Sequence, residues 1–148
     1  MNKKLEIIQL LKKNGVKTTP QRLAIITFLE NNLIHPSAEQ IYETLKKDFP
    51  TMSLATIYNT LDKLNEIKKV IKINFSGDNK VHYDYNTHFH YHFLCNICNN
   101  IYDITPKEKP EMLGAINDGH HIEETHTYFK GICKSCFTKR KGGKNEHK

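Results

Sequence analysis

The chain has 148 residues, 38% hydrophobic and 26% charged, with a net charge of +6; this length holds one ordinary domain or two small ones, and the composition excludes global disorder. No window is long enough for a membrane-spanning helix, and the apolar stretch 5 to 11, broken by Glu6 and Gln9, is too short and polar for a signal peptide, so a cytoplasmic, membrane-free protein is expected. Residues 1 to 80 carry 13 Lys and Arg against 8 Asp and Glu, the remainder 9 against 8, a bias that suits a nucleic-acid partner and equally an ordinary lysine-rich surface.

In chain order, Leu5, Ile8 and Leu11 recur at helical spacing until Asn14-Gly15, predicting a helix over 3 to 13. Thr19 as N-cap and Pro20 at N1 open a second helix carrying Leu23, Ile26 and Leu29. Ser37 and Gln40 form a capping box for a third, with Ile41, Leu45 and Phe49 behind it and Pro50 as its stop. A fourth starts at Ser53 with the stripe Leu54, Ile57, Leu61 and Leu64. Two β segments, 70 to 75 and 81 to 85, then flank the turn Ser76-Gly77-Asp78-Asn79. Helices followed by a hairpin is the winged-helix order, with helix four as the reading helix and the hairpin as the wing.

Beyond this point the character changes. Strands are expected over 88 to 95 and 100 to 104 around a Cys-x-x-Cys turn, a helix over 106 to 117, and a further strand over 128 to 132. The expected architecture is α+β: a winged-helix DNA-binding domain (1–82), a hinge (83–87), a small α/β domain (88–138) and a disordered tail (139–148) without apolar residues.

Three residue groups carry chemistry. Cys95-x-x-Cys98 and Cys133-x-x-Cys136 are pairs of equal spacing 34 residues apart. In a reducing compartment two such turns make the closed tetrahedral sulfur cage of structural zinc, with disulfides or a redox dithiol as the rivals. His88, His90 and His92 alternate, so on a strand they share one face while Phe89, Tyr91 and Phe93 share the other. That face is either plainly polar or a metal site, and Asp84 upstream and Asp103 on the next strand favour the latter. Imidazole with carboxylate suits Fe(II), Mn(II), Zn(II) or Co(II). His82, His120, His121, His126 and His147 show no partner pattern and are assigned to the surface or core edge. On the fourth helix Asn59 lies opposite the apolar stripe, Tyr58 on its flank, and Ser53, Ala55, Thr56 and Lys63 outward; these could enter a major groove or simply face water.

The stretches "TPQR", "HPSAEQIY", "PTMSLATIYNTL", "HYHFLCNIC" and "CKSC", in this order, resemble the ferric uptake regulator family of metal-dependent repressors along nearly the whole chain. The resemblance implies a winged helix joined to a dimerisation domain, a homodimer and an AT-rich palindromic operator. It implies structural zinc at Cys95, Cys98, Cys133 and Cys136, and a regulatory Fe(II) or Mn(II) at His35, Asp84, His90, His92 and Asp103. An ion shared between the two domains would then clip them into the DNA-binding arrangement.

Asp84, Asp103 and Asn59 make the peroxide-sensing repressors the branch this chain resembles most. In that branch iron-catalysed oxidation of His35 or His90 would release DNA, so a repressor sensing hydrogen peroxide, and no enzyme, is expected. The alternative within the family is a repressor sensing availability of iron or another divalent metal. A metallohydrolase or thiol oxidoreductase is the rival from another class, for which no nucleophile or general base stands out beyond the ligands.

Overall fold

The computed structural model describes residues 3–32, 35–75, 79–85, 88–107, 119–123 and 126–142. The chain is α+β and divides into two compact units, residues 1–87 and 88–148. Among the described residues no helix is long and apolar enough to cross a membrane.

The first unit contains α1 (Lys3–Lys13), α2 (Pro20–Asn31), α3 (Ala38–Leu45), α4 (Leu54–Glu66), β1 (Ile71–Ile73) and β2 (His82–Asp84). The caps act as expected: Thr19 Oγ1 accepts the Arg22 amide at 3.2 Å and Ser53 Oγ that of Thr56 at 3.1 Å. Both arms of the capping box are made, Gln40 N to Ser37 Oγ at 3.3 Å and Ser37 N to Gln40 Oε1 at 2.8 Å. Each cap satisfies an amide that the helix itself leaves without a carbonyl. The capped helices bury Ile25, Ile26, Leu29, Ile41, Ile57, Leu61 and Leu64, all at most 3% exposed, in one core.

Three expectations for this unit are corrected. On α1 the buried residues are Ile7 and Leu11, while Leu5 is 54% exposed; Ile7 and Leu11 are four apart, so both stripes have helical spacing and only packing chooses between them. Helix α3 stops at Leu45, and the Phe49 amide closes a turn onto the Leu45 carbonyl at 2.9 Å, consistent with the bar that Pro50 places on helical backbone at Phe49. The expected hinge does not begin at 83. Tyr83 is 2% exposed in the core, and the Tyr85 hydroxyl donates to Glu30 at 3.1 Å, so 83 to 85 belong to the first unit.

Strands β1 and β2 pair antiparallel with Lys72 opposite Tyr83. They are shorter than expected, and the turn between them falls outside the described residues except for Asn79. The far edge of β2 takes up the chain before α3: Ser37 bridges His82 and the Tyr83 amide donates to the Pro36 carbonyl at 2.9 Å.

The second unit holds β3 (Tyr91–Cys95), β4 (Ile101–Ile104), β5 (Tyr128–Gly131) and α5 (Lys134–Gly142). Strand β3 is central, antiparallel to β4 and parallel to β5. A Cβ on Gly131 would stand 3.3 Å from the Phe93 ring, so the close β3–β5 approach there favours glycine. The helix expected over 106 to 117 lies outside the described residues apart from Pro106 and Lys107.

The expected disordered tail is corrected over residues 139 to 142, which continue α5. Lys139, Arg140 and Lys141 occupy its last turn, where cations suit the helix dipole, and Lys141 Nζ sits 4.7 Å from the Phe137 ring centre. A helix held this way has no apolar stripe to read. Residues 143–148 lie outside the described set.

Candidate metal centres

The first cysteine pair closes the β3–β4 turn. Asn99 takes a positive φ of 57° and its amide donates to the Cys95 carbonyl at 2.9 Å, turning Cys98 back over Cys95. The second pair starts α5, where Cys133 precedes the helix and Cys136 lies in its first turn. All four Sγ atoms lie within 4.8 Å of one another as free thiols, with Cys98 and Cys133 3.9 Å apart. Zinc–sulfur bonds of about 2.3 Å at tetrahedral angles put the sulfurs about 3.8 Å apart, so this donor set fits zinc.

The surroundings favour thiolate, the form that binds metal. Backbone amides, that of Cys98 first, bring the Cys95 thiol down to about 6, and the Cys133 amide donates to Cys95 Sγ at 3.3 Å. Cys133 is lowered as well, chiefly by the Tyr102 hydroxyl, whereas a hydrogen bond to Cys133 pushes Cys136 up to about 12. Four sulfurs alone thus keep protons among them, and a divalent charge would displace those protons. Tyr102, whose hydroxyl is 3.9 Å from Cys98 Sγ, is a neighbour that residue type alone did not mark.

A second donor group stands on the same sheet. His92 on β3 and Asp103 on β4 are direct cross-strand partners, so their side chains leave the sheet together. His90 joins them from just before β3. Its Nε2 is 3.0 Å from His92 Nε2 and 3.4 Å from Asp103 Oδ1, and His92 Nε2 is 3.8 Å from that oxygen. Two donors about 2.1 Å from one ion and at right angles to each other are about 3.0 Å apart, and opposite donors about 4.2 Å apart; all three distances fall in this window. His90 Nδ1 is 2.6 Å from the His88 carbonyl. A carbonyl only accepts, so Nδ1 is the donor there, and Nε2 is the ring nitrogen turned to the cluster. The alternation also holds on the opposite side, where Phe89, Tyr91 and Phe129 stack edge to face at 5.3 and 5.5 Å.

In the first unit His35 Nε2 lies 3.9 Å from Asp84 Oδ2, with both side chains at most 5% exposed. Burying a carboxylate is costly unless an opposing charge or cation meets it. His35 has a φ of 44°, a left-handed backbone that costs about 1–2 kcal/mol for a residue with a Cβ. His82 Nδ1 stands 2.9 Å from the His35 carbonyl oxygen, which gives His82, expected at the surface or core edge, a defined partner. His88 supplies a carbonyl, and its imidazole is absent from both donor groups. His120 and His121 are exposed, and His147 lies outside the described residues.

On α4, Ser53, Ala55, Tyr58 and Asn59 are exposed and Thr56 and Lys63 half-buried. Ser53 Oγ is committed to the cap. Two residues not expected here support the face: Arg22 donates to Asn59 Oδ1 at 3.1 Å and to the Lys17 carbonyl at 2.6 Å, and Tyr58 donates to Glu39 at 2.6 Å. That bond lowers the Glu39 carboxyl and raises the Tyr58 phenol. Lys63 pairs with Glu66 at 2.8 Å, an exposed contact that a phosphate could displace.

Comparison with known proteins places this arrangement. The peroxide-responsive repressor of Staphylococcus aureus (strain USA300) is 38% identical over 133 residues, 88% of this chain and 89% of its own. Among solved structures, the Campylobacter jejuni peroxide stress regulator is 32% identical with a TM-score of 0.65, covering 87% of this chain and 98% of its own. The Helicobacter pylori ferric uptake regulator shares the fold, with a TM-score of 0.70 at 22% identity over 90% of this chain and 91% of its own. A model of the ferric uptake regulator family matches residues 13–136, and the chain belongs to that family.

Proposed function

We propose that the chain is a cytoplasmic, homodimeric, metal-dependent transcriptional repressor that releases its operator when hydrogen peroxide oxidises it. The observation that carries the reading is the pairing, in one small sheet, of a closed sulfur group with a separate nitrogen and oxygen group in which His90 Nε2 lies 3.4 Å from Asp103 Oδ1. Sulfur sets and mixed nitrogen and oxygen sets select different ions. Cys95, Cys98, Cys133 and Cys136 would hold structural zinc. His90, His92 and Asp103, joined by His35 and Asp84, would hold one regulatory Fe(II) or Mn(II), for which aspartate rather than glutamate supports the peroxide-sensing branch.

With donors from both units, ion binding favours the arrangement of the units that brings all five together, and operator affinity follows that population. Bound Fe(II) would activate peroxide without being consumed: one peroxide oxygen would be inserted into the imidazole of His35 or His90, a two-electron oxidation of the ring, and the other would leave as water. An oxidised imidazole is a poorer donor, so the units lose their tie. Ser53 at the cap of α4 and Ala55, Thr56, Tyr58, Asn59 and Lys63 along it would face an AT-rich palindrome, Asn59 toward base edges and Lys63 toward phosphate. A second copy of the chain would cover the apolar face of the second unit, where Tyr102, Ile104, Phe129 and Phe137 are 38–48% exposed. A cavity of about 820 Å³ opens there between Phe93, Ile104 and Ile132.

Fluorescence anisotropy on a labelled AT-rich palindromic duplex tests this reading. Binding should require added Fe(II) or Mn(II), fall steeply with salt, and be lost on peroxide addition from the iron form alone. Release on metal removal, with both forms indifferent to peroxide, would establish metal-level sensing instead; no metal-dependent binding would overturn both readings.

A further inference from the structure

We propose that His82 is a positioning residue for the regulatory site, acting on His35 through its backbone. The inference rests on the reading of His35 as a ligand. The chain at 35 to 37 has no strand of its own, yet it is tied to β2 in two ways: by the Ser37–His82 bridge, in which the Tyr83 amide donates to the Pro36 carbonyl at 2.9 Å, and by His82 Nδ1 on the His35 carbonyl at 2.9 Å. The second is the one made by a side chain, and it falls on the residue whose φ is 44°.

The left-handed turn at His35 is what directs its imidazole toward Asp84, two residues beyond His82 on the same strand. An L-residue leaves that conformation readily unless something holds its peptide. A carbonyl hydrogen bond is of the same size as the strain it opposes. The carbonyl accepts only, so His82 is held as the Nδ1–H tautomer. His82 thus orients a ligand from behind, through its main chain, where outer partners more commonly act on the ligand's own ring.

The test uses the full-length, zinc-loaded protein and Mn(II), titrated against a fluorescent chelator. In His82→Asn the amide nitrogen reproduces the position of Nδ1–H; in His82→Leu the bulk remains without a donor. His82→Leu should bind Mn(II) about 10–100-fold more weakly, and His82→Asn should stay within about threefold of the parent. Zinc content and the thermal transition should be unchanged in both. Long-range nitrogen–proton spectra of the metal-free parent should report His82 protonated at Nδ1.

Parent-like affinity in His82→Leu, or equal losses in both variants, overturns the inference. His35→Ala is the control that separates it from the reading beneath: if His35→Ala also binds Mn(II) like the parent, the ligand assignment fails and takes the inference with it. If only His35→Ala is weakened, His82 alone is excluded.

Discussion

Replacing Cys98 by serine should unfold the second unit and leave the first intact. Cys98 is exposed, so the substitution opens no cavity and buries nothing new; what it removes is one of four metal donors. The first unit buries a cluster of fifteen side chains, among them Ile25, Leu29, Ile41, Ile57, Leu61 and Leu64, and each large one contributes about 1.5–3 kcal/mol. Among the described residues of the second unit, the only buried hydrophobic side chains are Cys95 and Cys133. Among these residues the four-cysteine group stands where a domain ordinarily has a core. Structural zinc binding is worth about 10–16 kcal/mol, as much as the whole stability of a typical domain at about 5–15 kcal/mol. Hydrogen exchange read by mass spectrometry separates the two units peptide by peptide. In Cys98→Ser, or in parent stripped by a strong chelator, peptides covering β3, β4, β5 and α5 should lose protection while those of α2 and α4 keep theirs. A zinc-free second unit that stays protected would refute the reasoning.

Other outcomes follow from the first unit. Leu61→Ala, at a position 0% exposed, should cost about 2–5 kcal/mol in a denaturant melt of that unit. Burial, helped by the charge of Asp62, pushes the Tyr83 phenol up to about 12. A group whose folded value lies above its unfolded value of about 10 stabilises fully below pH 10, and that stability is lost as pH rises toward 12. Melting temperatures of the parent should therefore fall across that window, and Tyr83→Phe should flatten the fall. Asn59→Ala should weaken binding to the best duplex about tenfold or more and relax base preference at one position per half-site, whereas Lys63→Ala should reduce the salt slope by about one with preference intact; selection from a random duplex pool and salt titration read the two effects.

Features coded by residue type and short spacing were legible in the sequence. Thr19-Pro20, the Ser37/Gln40 box and Ser53 mark helix starts because each cap is satisfied within three residues, and two Cys-x-x-Cys turns announce a sulfur group because few other uses fit them. The face shared by His90, His92 and Asp103 followed from strand alternation plus one hairpin. Contacts that need tertiary pairing were not legible. His35 and Asp84 approach because 35 to 37 pairs with β2, and neither residue carries a local sign of that pairing. Arg22 reaches Asn59 across 37 positions and Tyr58 reaches Glu39 across 19, distances at which only the packed core sets the partner. The buried face of α1 was ambiguous for the same reason, and the last turn of α5 was missed because it carries charge rather than an apolar stripe.

The central claim is that one regulatory ion, held by His35 and His90 among others, converts peroxide into the loss of its own ligands. Mapping oxygen addition by peptide mass spectrometry, on iron-loaded and manganese-loaded protein exposed to the same low dose of peroxide, tests it most directly. The account predicts a gain of one oxygen on the peptides carrying His35 or His90 in the iron form, and none there in the manganese form. An iron form that releases DNA with both histidines unmodified, or equal oxidation in the two forms, would contradict it.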